Sequence, residues 1–352
     1  MLNASGIGTY IRQLVPRVID ARPDDRFFLL GRRAEAVDWS AASHPRVTWI
    51  ECGVPIYSLW EQFEIPRKVP KGTDLLWVPH FNVPLFYGGR LLCDIHDVFH
   101  LANPQFAGGF LKRLYAGVLF RAAVWKSRAV LTISRFSASE IERLIGKPRK
   151  LVVTHLAADE AWFKAPAGER PHPKPYFLFV GNVKPHKNLA GLLEGFALVK
   201  DSIPHDLVVV GKRDGFLTGD PRVGALAAPF GDRVRFTGHL GENDLRLFTA
   251  HAEALVLPSY YEGFGLPPLE GMALGVPALL SRRASLPEVF GDAALFFEPD
   301  KPGEIGDALK RVATDPALRK DLSDRGRAKA REYSWDKTLQ QTLPVIDEAL
   351  NG

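Results

Sequence analysis

The 352-residue chain is 46% hydrophobic and 24% charged, with a mean hydropathy of −0.06, values that exclude disorder, collagen and coiled coil. Its length suits two domains, each large enough to bury its own core, and two cysteines, Cys52 and Cys93, are too few for a disulfide framework or a four-thiolate zinc site. The formal charge of +5 is uneven: residues 1–170 carry 23 Lys and Arg against 16 Asp and Glu, whereas residues 171–352 carry 22 against 24.

A basic first half fits either an anionic partner or a merely solvated basic face. No uncharged apolar run approaches the roughly 18–20 residues of a membrane helix. The start of the chain lacks the basic-then-apolar order of a signal peptide. With so few cysteines, a reducing compartment is the simpler reading. The expectation is a cytoplasmic protein that touches membranes only from outside.

In chain order, Gly6-Ile7-Gly8-Thr9-Tyr10 reads as a strand-to-helix loop, followed by a helix with the apolar stripe Ile11, Leu14, Val15 and Val18. Pro16 inside that helix predicts a kink. Five residues before Gly6 are too few for the strand such a loop follows, so either a first strand is absent or the loop docks in another way. Short runs of Val, Ile, Leu and Phe then predict strands at 27–30, 47–51, 75–78, 91–95, 130–133 and 151–153. A second set is expected at 177–180, 207–210, 234–237, 254–257, 277–280 and 295–297. These runs are continuously apolar and alternate with helical patterns, as in parallel sheets covered on both faces, so the fold class is doubly wound α/β.

Residues 106–125 carry Phe110, Leu111, Leu114, Tyr115, Val118, Leu119, Val124 and Trp125 beside Lys112, Arg113 and Arg121. This pattern fits a helix packed on a core, or one lying on an anionic membrane surface. Residues 164–175 hold four prolines and a glycine and read as an exposed linker between two Rossmann-like halves.

Two segments carry chemistry. In Phe179-Val180-Gly181-Asn182-Val183-Lys184-Pro185-His186-Lys187-Asn188 a strand ends at Gly181 and a helix with Leu189, Leu192, Leu193 and Phe196 follows. Free backbone N–H groups and the helix dipole at such a junction favour anions, and Lys184, His186 and Lys187 add donors suited to a diphosphate. In the segment 258–270, Glu262 and Glu270 flank a loop in which Gly263 and Gly265 let the backbone approach a ligand. Glu270 is placed to accept from ribose hydroxyls and Glu262 to face a sugar.

The loop Glu262-Gly263-Phe264-Gly265-Leu266-Pro267-Pro268-Leu269-Glu270 resembles the E-x7-E motif of retaining family 4 glycosyltransferases. Gly6-Ile7-Gly8, Ile95-His96-Asp97, the 133–137 and 210–213 segments and Tyr333-Ser334-Trp335 are similar to that family in the same order, and Val180–Asn188 resembles its phosphate loop. The resemblance spans essentially the whole chain.

It implies a GT-B fold of two Rossmann-like domains facing each other across a cleft. The acceptor-side domain is then 1–163, the linker 164–175, the nucleotide-sugar domain 176–332, and 333–352 a helix crossing back. It implies that Lys187 binds the donor diphosphate, Glu270 the ribose and Glu262 the donor sugar, with backbone amides of Phe264, Gly265 and Leu266 completing the site. His96 then contacts the sugar, and the loop at Gly8 borders acceptor or phosphate. Many members have arginine where this chain has Asn182, so Lys184, His186 or Arg213 supplies the missing charge.

The chemistry so implied is a retaining, metal-independent sugar transfer in envelope polysaccharide synthesis. The donor is GDP-mannose in the preferred reading, or a UDP-sugar, and the acceptor is a saccharide or a lipid-linked saccharide. No cofactor and no nucleic acid are expected. His96 and His100, four apart, could share zinc only on a helix and with a third ligand. The alternatives are a GT-B nucleotide-sugar epimerase and a nicotinamide oxidoreductase, the latter supported only by Gly6-Ile7-Gly8.

Overall fold

The computed structural model describes residues 2, 5–105, 110–211 and 219–351. The chain divides into two compact units, Met1–Leu156 with Trp335–Gly352, and Ala157–Ser334. Each of the twelve strands expected from the sequence is present, with ends shifted by no more than one residue.

The first unit opens with α1 (Ser5–Ala21), which buries Tyr10, Leu14, Val18 and Ile19. Gly6, Ile7 and Gly8 form its first turn, so the loop read there is not formed, and Gly8 is a buried helical residue. Each helical glycine costs about 1 kcal/mol. Burial of Tyr10, Ile11 and Leu14, at roughly 1.5–3 kcal/mol each, outweighs that cost. The helix also runs on through Pro16.

Strands β1 (Phe27–Gly31) and β2 (Val47–Glu51) form a parallel pair. A separate parallel sheet has the order β3 (Leu76–Val78), β4 (Leu91–Asp94), β5 (Ala129–Thr132), β6 (Leu151–Val153). Around these lie α2 (Glu61–Lys68), the short α3 (Phe99–Ala102), α4 (Phe110–Lys126) and α5 (Arg135–Leu144), the last capped by Ser134, which accepts from Ser137 N–H at 3.0 Å.

Helix α4 divides the wide apolar face seen in its sequence. Leu119, Phe120, Ala123 and Val124 join Phe81, Ile95, Val130 and Ile141 in the core, while Leu114, Val118 and Trp125 stay exposed beside Arg121. Cys52 and Cys93 are buried free thiols.

The second unit holds one six-stranded parallel sheet. Its strands are β7 (Tyr176–Val180), β8 (Asp206–Val210), β9 (Val234–Gly238), β10 (Ala254–Leu257), β11 (Ala278–Ser281) and β12 (Leu295–Phe297), in the order β12-β11-β10-β7-β8-β9. Helices α6 (Leu189–Val199), α7 (Arg222–Ala227), α8 (Glu242–Ala250), α9 (Leu266–Leu274), α10 (Leu286–Phe290), α11 (Pro302–Thr314) and α12 (Pro316–Arg331) complete it. Phe177 and Phe179 pack under α6 and α11 with Leu192, Phe196, Ile305 and Leu309, whereas Tyr176 and Leu178 face the opposite layer with Val208 and Phe248. Both faces of β7 are thus covered, which is why its sequence shows no alternation.

The proline-rich 164–175 stretch lies inside this unit instead of joining the two units. It is irregular and mostly exposed, but its His172 is buried, with Nε2 2.9 Å from Asp206 Oδ2. The division falls earlier, before Ala157. Helix α13 (Trp335–Asn351) then returns to the first unit, packing on α1, β4 and β5, with Thr338 Oγ1 donating to the His155 carbonyl at 2.6 Å. Among the described residues no helix is long and apolar enough to cross a membrane.

Candidate functional site

In the second unit β7 pairs with β8 on one side and β10 on the other. The chain runs outward through β8 and β9, then crosses back over β7 to enter β10. The loops leaving the C-terminal ends of β7 and β10 therefore diverge, and such a switch point is where doubly wound sheets bind ligands.

The loop after β7 is held from three directions. Gly181 N–H bonds the Val210 carbonyl at 2.9 Å, and a single 3-10 turn at Pro185–Lys187 follows, closed by Lys187 N–H to the Lys184 carbonyl at 2.9 Å. Asn188 adopts a left-handed conformation (φ 54°), accessible to asparagine at modest cost. Its Oδ1 accepts from Gly191 N–H at 3.2 Å, capping α6, and its Nδ2 donates to the Pro299 carbonyl at 2.9 Å. Burial and the neighbouring Lys187 lower the pKa of Lys184.

The loop after β10 is tied to the first, because Tyr260 N–H bonds the His186 carbonyl at 2.8 Å. Ser285 Oγ donates to the Glu262 carbonyl at 2.8 Å, fixing the backbone that carries this acid. The Glu262 carboxylate lies 2.6 Å from Lys187 Nζ, both half-buried, so the two candidate residues form an ion pair across the switch point. Pro267 and Pro268 occupy the first turn of α9 and have no N–H. Anion donors at that helix start are therefore confined to the amides of Phe264, Gly265 and Leu266, on the positive end of the dipole.

Glu270 sits one turn into α9, half-buried, and no donor among the described residues reaches its carboxylate. Burial, with the carboxylates of Glu242 and Asp159 adding repulsion, pushes its pKa up to about 8. The folded protein therefore binds more protons here than the unfolded chain between about pH 4.5 and 8, and stability is lost as pH rises through that window. Glu270→Gln removes the penalty. Thermal midpoints of wild type and variant are expected to separate in the variant's favour by roughly 2–4 °C from pH 5 to pH 9, after allowance for partial exposure. A difference independent of pH would show that Glu270 is not desolvated.

The first unit holds a second group of polar residues. Asp94, at the end of β4 and fully buried, accepts from Tyr10 Oη at 2.7 Å and from Trp77 Nε1 at 2.5 Å, and burial raises its pKa to about 7. The Tyr10 ring meets His96 edge to face, with centroids 4.8 Å apart. Burial lowers the His96 pKa to about 4, so the imidazole is neutral, and its buried Nε2 has no partner among the described residues.

The structure thus joins Lys187 to Glu262 and sets Lys184 near Lys187. It bonds the His186 carbonyl to the second loop and places Glu270 on the helix after it. Gly8 and His96 belong to the first unit, and Arg213 lies outside the described residues. His96 stands in a loop and His100 in α3, so the helical spacing that could share zinc is not formed. Among the described residues no three His, Cys, Asp or Glu side chains gather as a metal site. Sequence reasoning missed Tyr10, Trp77 and Asp94, whose link spans 84 residues, and the capping Asn188, for which a polar residue just before an apolar helical stripe was the available signal.

The sequence model described as glycosyl transferases group 1 matches residues 160–329, which include both loops. The O-antigen chain mannosyltransferase B of Escherichia coli is 30% identical, over 96% of this chain and 95% of its own length. Sucrose-phosphate synthase from Thermosynechococcus elongatus superposes with a TM-score of 0.80 at 21% identity, covering 98% of this chain and 94% of that one. HepE of Anabaena, solved in complex with UDP and glucose, gives 0.73 at 15% identity, covering 98% and 96%. The structural likenesses identify the fold as GT-B, and with a relative similar over nearly its whole length the chain belongs to the group 1 glycosyl transferases.

Proposed function

We propose that this glycosyltransferase moves a mannosyl residue from GDP-mannose, with retention of configuration and without a metal, to a saccharide or lipid-linked saccharide of an envelope polysaccharide. The observation that carries the reading is the Lys187–Glu262 pair at the β7/β10 switch point. An ammonium group and the amides of residues 264–266 are poised for a diphosphate, and a carboxylate beside them for the sugar. The E. coli relative, an O-antigen mannosyltransferase, supports mannose and the polysaccharide setting. A UDP-sugar is the second reading, favoured by the UDP held in HepE.

In the reaction the bond between the sugar C1 and the diphosphate oxygen breaks, and negative charge develops on the leaving group. Lys187 and the 264–266 amides stabilise it there. The acceptor hydroxyl attacks C1 from the face the diphosphate leaves, and its proton passes to a departing phosphate oxygen. Glu262 orients sugar hydroxyls, and Glu270 accepts from the ribose. The nicotinamide reading loses its only support, since Gly6-Ile7-Gly8 is the first turn of a helix. The exposed Leu114, Val118 and Trp125 beside Arg121 support contact with an anionic membrane surface where a lipid-linked acceptor resides.

The test is calorimetric titration with GDP and UDP, with turnover followed by nucleotide release from their mannose and glucose derivatives. GDP is expected to bind more tightly, Glu270→Ala to weaken it about tenfold, and EDTA to leave turnover unchanged. Unaltered affinity in Glu270→Ala would remove that residue from the ribose site. Activity lost to EDTA and restored by a divalent ion would overturn the metal-free mechanism.

A further inference from the structure

We infer that Tyr57, in the first unit, recognises the acceptor: its exposed ring stacks on a pyranose, and its hydroxyl, oriented by His80, donates a hydrogen bond to a sugar oxygen. The inference rests on the transferase reading and adds to it the residue that meets the second substrate.

Tyr57 is half exposed, yet its backbone has φ 66°, a left-handed conformation that bulky residues avoid. Strain of this kind persists only where the surroundings impose it, and it gathers at functional sites. Here the surroundings are a buried acid and a buried amide. Glu61, only 5% exposed, accepts from Tyr57 N–H at 2.8 Å and from Asn82 Nδ2. Asn82, 1% exposed, leaves its Oδ1 with no partner among the described residues.

His80 sets the direction of the hydroxyl. Its Nδ1 accepts from Asn82 N–H at 3.3 Å, so in the neutral ring the proton is on Nε2, 3.2 Å from Tyr57 Oη. Burial lowers the His80 pKa to about 3, with the neighbouring His96 and His100 adding to the effect, so the ring is neutral. With that tautomer the Tyr57 oxygen accepts from His80, which leaves its own O–H to donate elsewhere. Burial and the charges of Glu61 and Asp97 hold the phenol protonated, at a pKa of about 12.

The same electrostatic neighbours place the residue beside the 96–100 loop, where His96 Nε2 has no partner among the described residues. A ring face and an O–H donor suit a polyhydroxylated ring better than an acyl chain, which would leave the hydroxyl unmatched.

The test uses α-linked mannotriose as probe, followed by saturation-transfer NMR in the presence of GDP, with GDP affinity measured in parallel. Wild type is expected to transfer saturation to the pyranose C–H protons. Tyr57→Phe keeps the ring and should weaken mannotriose by about 2–12-fold while leaving GDP affinity unchanged. His80→Asn keeps an acceptor near the Nδ1 position and removes the Nε2 donor. It should weaken mannotriose comparably in wild type but add nothing in the Tyr57→Phe background, a non-additivity that a merely structural role would not produce.

Wild-type protein that binds GDP but shows no transfer to mannotriose overturns the inference. So do additive losses, or a Tyr57→Phe variant that loses binding to phosphatidylglycerol vesicles while keeping mannotriose affinity. Failure of GDP to bind wild type would instead overturn the donor-site reading.

Discussion

Lys187→Ala is expected to slow transfer by about 10²–10³-fold, the cost of removing a preorganised donor from a developing anion. The side chain is held where it must act, 2.6 Å from Glu262 on a loop pinned by Asn188 and by the Tyr260–His186 bond. The folded state should tolerate the change. The pair is partly exposed, and pairs of that kind contribute about 0–1 kcal/mol, so the thermal midpoint should move little. Nucleotide release from GDP-mannose over a range of concentrations would check the rate. A variant turning over at the wild-type rate would place the leaving group elsewhere.

Gly211→Ala should destabilise the protein by about 3–5 kcal/mol and weaken nucleotide binding with it. Gly211 follows β8 with φ 145°, and a Cβ there would lie 2.1 Å from the Gly181 carbonyl oxygen. That oxygen belongs to the backbone of the β7 loop, so it cannot rotate away as a flexible side chain can. Relief requires moving the strand end that presents residues 182–188. The control is Gly231→Ala, where φ is 54° but a Cβ would meet nothing within 4 Å. There the conformational penalty acts alone, at about 1–3 kcal/mol, since φ 54° and ψ −129° lie outside the regions open to L residues. Urea denaturation of both variants separates the clash from the dihedral. Equal losses would mean that the close approach of the two strand ends is not tight.

The contrast between these two glycines also marks what a sequence can convey. The strands were legible because β7, β8 and β10 are buried on both faces, and burial leaves unbroken apolar runs. The two loops were legible because strand-to-helix junctions concentrate Gly, Pro and charge. Gly6-Ile7-Gly8 misled for the same reason. Its spacing imitates a phosphate turn, and only the core beneath Tyr10 and Leu14 decides that it is helical. Composition made 164–175 a linker, since nothing local reveals that His172 finds Asp206 34 residues away. Glu262, the partner of Lys187, and Tyr10, one of the two partners of Asp94, lie 75 and 84 residues distant in the chain. Pairings of that reach are set by topology, which periodicity does not encode. In α4, apolar residues face both inward and outward, so the pattern alone left its role open between core and surface.

The return of α13 to the first unit has a bearing on biosynthesis. The ribosome emits β4, β5 and α1 early, yet the helix that packs on them is made only after all of Ala157–Ser334. Domains generally fold as their residues emerge, the earlier ones first. Here the order is inverted. The later unit is contiguous and can finish on the nascent chain, whereas the earlier one waits, with apolar surface uncovered around buried Trp335, Val345 and Ile346, until its last helix arrives.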